Sequence, residues 1–292
     1  MIEAVQDSEH FTREFSSDAE AITLAGACAK SGRFAESYAI LTHRLEQGPP
    51  ASGLLYERGL TLFDWGRLRE ALADFRAAEA RGLSSFGLHL NLGYACHLLG
   101  YAGEAERHIR RAIALDEGAP VAHLGLGALL QAAKRLDEAI QSFERAYELD
   151  PNRWDCLASI ASCRIEEKNG PAAEALLRRM ISFGAGNQAK HWAMLGVALS
   201  LQDRIDEATS AFEQALAQEA RDGLAAEAFV MYGVYLIGIG RIKEALDLYA
   251  RYLPAHPHPR AQTHHAWALL TAGRLREGWA QYEFRWCEEP FL

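Results

Sequence analysis

The chain has 292 residues, of which 49% are hydrophobic and 24% charged, and its 30 basic and 39 acidic residues leave a net charge of −9. That balance argues against a nucleic-acid backbone as main partner, which requires clustered Lys and Arg, and no apolar run approaches the ~20 residues of a membrane-crossing helix. The scattered Cys28, Cys96, Cys156, Cys163 and Cys287 make neither a disulfide framework nor a zinc pattern, and the acidic start "MIEAVQDSEH" is unlike a secretory signal. The expectation is a reduced, cytoplasmic protein with no membrane segment and no cofactor.

Residues 1–17 are expected to form a leading cap or tail. From residue 18 onward, each stretch of about 34 residues carries two apolar patterns of period 3.6 separated by a short polar turn, which predicts a helical hairpin. The first hairpin, from residue 18, is degenerate, with Ala25 at its centre. The second, from residue 52, reads "LLYERGLTLF" and then "GRLREALADFRAAEA"; the third, from 86, carries "HLNLGYACHL". The fourth, from 120, reads "HLGLGALLQA" and "KRLDEAIQSFERAYELDP". The fifth, from 154, is again degenerate around Ala161. The sixth, from 189, contains "HWAMLGVALS" and "DRIDEATSAFEQALA", and the seventh, from 226, contains "FVMYGVYLIG" and "GRIKEALDLYARYLP". The eighth, from 259, has Ala266 at its centre and closes on "GRLREGWAQYEFRW".

The recurrent Gly59, Gly93, Gly127, Gly196 and Gly233 sit mid-helix, where glycine costs about 1 kcal/mol in propensity. Their common register predicts a close approach by the second helix of each pair. Ala71, Ala105, Ala139, Ala208 and Ala245 are the small residues expected on the opposing side. Pro49, Pro151, Pro257 and Pro290 end units by blocking helix continuation.

In unit length and in the order of small, large and Pro positions, residues 18–292 resemble the tetratricopeptide repeat family. The resemblance implies an all-α, right-handed superhelical solenoid of about eight helical hairpins, with the first helix of each pair lining a concave groove.

No catalytic residues are predicted. "GAGN" at 184–187 and "GIG" at 238–240 lack the Gly and Lys of a phosphate loop and read as turns. His256 and His258 lie in a Pro-bound loop, while His264 and His265 are helix neighbours facing different ways, so no metal site is expected there or elsewhere.

Function is therefore expected on a surface. The groove positions implied by the resemblance are Tyr56, Leu60 and Phe63; Leu90, Asn91, Tyr94 and His97; Val121, Leu124, Ala128 and Gln131; Val230, Val234 and Ile237; and Thr263, Trp267 and Leu270. Tyr56, Phe63, Tyr94 and Trp267 are the side chains expected to protrude, although positions of this kind also pack between neighbouring first helices. The implied ligand is an apolar or amphipathic protein segment. A carboxylate clamp, as in some family members, is missing, and Asn91 alone matches the Asn ladder of others.

Trp279, Tyr282 and Trp286 share one face of the last helix, an aromatic surplus that predicts a neighbour against it. The pattern Gly278, Trp279, Tyr282, Glu283, Arg285, Trp286 is similar to the close of the repeat region in bacterial repeat-containing glycosyltransferases. That resemblance implies an acceptor-recruiting region followed by a C-terminal catalytic domain, with flagellin as one acceptor. The alternative is a stand-alone adaptor or assembly protein whose aromatic end forms a homodimer.

Overall fold

The computed structural model describes residues 15, 17–49, 51–184, 188–222 and 227–282, and among these every regular element is a helix. The helices pair in chain order: α1 (Asp18–Lys30) with α2 (Phe34–Glu46), α3 (Ser52–Asp64) with α4 (Leu68–Ala80), α5 (Phe86–Leu98) with α6 (Ala102–Leu115), and α7 (Pro120–Ala132) with α8 (Leu136–Leu149). These four hairpins belong to one compact unit, Met1–Leu149. A second unit, Asp150–Leu292, contains α9 (Trp154–Glu166) with α10 (Gly170–Ser182), α11 (Gln188–Ser200) with α12 (Ile205–Asp222), α13 (Glu227–Gly238) with α14 (Ile242–Tyr252), and α15 (Pro259–Thr271) with α16 (Leu275–Tyr282). The fold is all-α. Helix α12 runs for 18 residues, against 13 for α11. That extra length contributes to the wider 37-residue spacing from Gly196 to Gly233.

Within a hairpin, a small residue on the first helix receives a large one from the second. A Cβ on Gly59 would come 2.6 Å from the Phe75 ring, one on Gly93 2.5 Å from Ile109, one on Gly127 2.5 Å from Phe143, and one on Gly196 2.7 Å from Phe212. Gly233 receives Tyr249 in the same way. In the degenerate hairpins Ala replaces the glycine, and buried Ala25 shares its cluster with Leu41, and Ala161 with Leu177. In the last hairpin the roles reverse, and Gly278 of α16 lies against Leu270 of α15.

The turns follow a second rule. Each hairpin bends through one residue with left-handed backbone two places beyond the end of its first helix, or three beyond α11: Gly in five hairpins, but Lys134, Lys168 and Asp203 in three. The next amide closes a six-residue ring, as Arg67 N does on Leu62 O at 2.8 Å and Arg135 N on Leu130 O at 2.9 Å. The same next residue is Arg in six hairpins, each pairing with a Glu three places on: Arg33–Glu36, Arg67–Glu70, Arg135–Glu138, Arg204–Glu207, Arg241–Glu244 and Arg274–Glu277. Three of these Arg also reach the preceding hairpin, Arg135 to Glu106 at 2.8 Å, Arg204 to Glu174 at 2.7 Å and Arg241 to the Thr209 hydroxyl at 3.2 Å.

First helices touch in succession within each unit, α1 to α3 to α5 to α7 and α9 to α11 to α13 to α15. The residues expected to line a groove all lie on these first helices. No helix among the described residues is long and apolar enough to cross a membrane.

Candidate functional site

In the first unit the face is built from half-buried aromatics that bridge adjacent first helices. The Tyr56 hydroxyl accepts a hydrogen bond from Asn91 Nδ2 at 3.1 Å, and its ring packs 5.9 Å from that of Phe75. The hydroxyl sits so close to α5 that a Cβ on Gly87 would lie 2.7 Å from it. Tyr94 repeats the arrangement one hairpin on: its hydroxyl donates to Val121 O at 3.3 Å, and a Cβ on Gly125 would come 3.0 Å from it. Burial raises the Tyr56 phenol above its ordinary value, so it stays protonated at neutral pH.

The expectation that these aromatics protrude is therefore corrected for Tyr56 and Tyr94, which span the seam between hairpins. Phe63 and Leu60 are also half-buried, packed on the cluster around Leu62 and Phe75. Leu90, at 9% exposure, belongs to the core and not to an open groove. Its register is flanked on both sides by first helices, which closes it off. Asn91, His97, Leu124 and Gln131 keep part of their surface in solvent.

The second unit is different. Val230 is buried at 6% and joins the core, a second correction of the same origin. Val234 and Trp267, however, are 40% and 55% exposed. They occupy the same register on α13 and α15, two first helices in direct contact. Trp267 stacks obliquely on His264, with ring centroids 6.5 Å apart. On α16, Trp279 is 59% exposed and meets the half-buried Tyr282 edge to face at 5.7 Å. Trp286 lies outside the described residues.

Two depressions open on the second unit. One, of about 400 Å³, lies among Ile181, Trp192, Leu195, Leu199 and Glu207; the other, of about 290 Å³, lies among Tyr249, Leu253, Gln262, His265 and Gln281. Buried Cys156 and Cys163 are pushed up to about 11 by burial, the opposite of a reactive thiol.

One polar cluster in the first unit has no counterpart in the sequence pattern. His89 of α5 and His108 of α6 are each 4% exposed, stack with centroids 5.5 Å apart, and bring their Nδ1 atoms to 3.2 Å. A guanidinium can only donate, so Arg107 at 3.3 Å makes His108 Nε2 an acceptor and places the His108 proton on Nδ1. His108 Nδ1–H then donates to His89 Nδ1, and His89 Nε2–H donates to Ser84 Oγ at 3.1 Å. Glu79 Oε1 stands 3.8 Å from His89 Nδ1. Burial lowers both imidazoles below their ordinary value and keeps them neutral. No sequence signal pairs these residues; only hairpin packing does.

Tetratricopeptide repeat family models match residues 56–120, 102–153 and 193–260, and a further model of the same description matches 130–196. Among solved structures, a tetratricopeptide repeat protein from Parabacteroides merdae superposes with a TM-score of 0.70 at 14% identity, covering 86% of this chain and 98% of that one. Yeast Tom70 gives a TM-score of 0.66 at 15% identity, covering 94% of this chain and 61% of that one. YrrB, described as a repeat protein with an unusual peptide-binding site, gives 0.51 at 21% identity, covering 68% of this chain and 92% of that one. No curated protein matches the chain significantly.

Proposed function

The chain belongs to the tetratricopeptide repeat family, a family of protein-interaction modules, and from that premise we propose that it holds an apolar or amphipathic protein segment against its first-helix face. The observation that carries this reading is the exposure of Val234 and Trp267 at one register of adjacent first helices. Large apolar side chains left in water side by side mark interaction sites, and Trp is the residue most often found at the energetic centre of one. YrrB, a structure of similar fold, is described as having a peptide-binding site, which supports a peptide or protein segment as the ligand class.

The finer reading is that this module recruits the acceptor for a bacterial protein glycosyltransferase, flagellin being one such acceptor. It rests on the resemblance of the Gly278–Trp286 segment alone. The competing reading, a stand-alone adaptor that self-associates through its last helix, draws on exposed Trp279 and its edge-to-face partner Tyr282. Sedimentation over a range of concentrations separates the two, because self-association through this face is lost in Trp279→Ala.

The groove reading is tested by placing a photo-crosslinking amino acid at position 267 or 234 and, as a control, at Gln214, which is exposed on the second helix α12. Crosslinks to a protein partner from 267 and 234 but not from 214 support the first-helix face. Equal yields from all three positions contradict it.

A further inference from the structure

We propose that Glu79, His89 and His108 form a binding site for a divalent transition-metal ion of the Zn²⁺ class, joining the second and third hairpins. Their ligand atoms all lie within 4.8 Å of one another, and no other such group occurs among the described residues. A tetrahedral Zn²⁺ with Zn–N bonds of about 2.0–2.1 Å holds its ligands ~3.4 Å apart. The His89 Nδ1 to His108 Nδ1 separation is 3.2 Å and that from His89 Nδ1 to Glu79 Oε1 is 3.8 Å. Two neutral imidazoles and one carboxylate are the donors such an ion takes, leaving the fourth position for water on the solvent side of Glu79.

The surroundings fit one ligand and oppose the other, which makes the site specific to test. A metal-bound imidazole uses its second ring nitrogen as a donor to a polar neighbour. His89 already does so, with Nε2–H on Ser84 Oγ. To ligate through Nδ1, neutral His108 must change tautomer, its proton moving through solvent from Nδ1 to Nε2, where Arg107 now donates. Exposed Arg107 must therefore swing away, and it competes with the ion.

The test uses the full chain, tag removed and stripped with a chelator, titrated with CoCl₂ and followed by visible absorption, then with ZnCl₂ in competition. The expected result is one equivalent of Co²⁺ with the intense bands of a four-coordinate N/O site, displaced by Zn²⁺. Glu79→Gln, at a half-exposed position that leaves the fold intact, weakens binding about tenfold or more. His108→Gln abolishes it. Arg107→Gln tightens it severalfold, because the amide oxygen accepts the Nε2 proton that the guanidinium repels. Absence of saturable Co²⁺ uptake by the wild-type chain overturns the proposal. So does uptake that Glu79→Gln and His108→Gln leave unchanged, or a thiolate charge-transfer band that assigns the ion to cysteine.

Discussion

Gly127 and Phe143 occupy a single volume: the ring of Phe143 sits where a Cβ on residue 127 would be, 2.5 Å from its Cε1. The two residues lie on the facing helices of one hairpin and are both fully buried in effect, Phe143 at 1% exposure. Four other hairpins repeat the contact, two with Phe and one each with Ile and Tyr, and two have Ala and Leu at the same positions.

Gly127→Ala is therefore expected to destabilise the chain by about 1–2 kcal/mol, the overpacking cost of a rigid core exceeding the helix-propensity gain of roughly 1 kcal/mol. Adding Phe143→Leu recreates the Ala161–Leu177 pairing and restores at least about 1 kcal/mol of that loss, a coupling that denaturant midpoints of the four-member mutant cycle measure. Gly26, with open space around it in the middle of α1, is the control. Gly26→Ala is expected to stabilise by roughly 1 kcal/mol, and a loss there would show that space around the glycine does not decide the sign.

The left-handed turn residue provides a second check. Lys134 has φ 60° where five other hairpins use Gly. A side chain in this region costs on the order of 1 kcal/mol, part of which glycine's looser unfolded chain cancels. Lys134→Gly is expected to raise stability by about 0.5 kcal/mol and Gly66→Ala to lower it by about 1 kcal/mol. Thermal midpoints moving together in either direction would count against the shared turn geometry.

Ion pairs are expected to divide by burial. Arg58 holds both Asp74 oxygens, at 2.7 and 2.8 Å, with side-chain exposures of only 19% and 11%. Asp74→Ala strands a largely buried guanidinium and is expected to cost about 3 kcal/mol. Glu70→Ala removes the exposed Arg67 pair at 2.6 Å and is expected to cost less than about 1 kcal/mol. Comparable losses from the two variants would refute the distinction.

Much of this was legible in the sequence, for a physical reason. A helix pair in close contact allows only small residues at one register, so the Gly and Ala series announce the hairpins by steric necessity. Glycine also marks the turns, though not where Lys134, Lys168 or Asp203 bears the strain instead. Exposure along the first helices was not legible. Leu90 and Trp267 differ little in apolar character, yet one is sealed between neighbours and the other stands in water. That outcome depends on how far apart adjacent hairpins settle, which no local pattern encodes. The meeting of His89 with His108, 19 residues away, is hidden for the same reason.

Acid should weaken the second unit through His265. Burial, then the Arg274 charge, lowers this imidazole below its ordinary value. The unfolded chain, with a His value of about 6.5, therefore takes up the proton first. Stability is complete above that pH and declines as pH falls toward the folded value. The decline between about pH 7.5 and pH 5.5 should be shallower in His265→Gln, as read from urea midpoints at each pH. An identical slope in the variant would assign the effect elsewhere.

The proposed function places Trp267, on the first-helix face of the second unit, at the centre of contact with a protein segment. The most direct measurement is the dissociation constant of the crosslinked partner segment for the wild-type chain and for Trp267→Ala, compared at equal thermal stability. A buried Trp anchor contributes about 2 kcal/mol or more, so binding is expected to weaken by roughly thirtyfold or more. Unchanged affinity in a folded Trp267→Ala chain would contradict it.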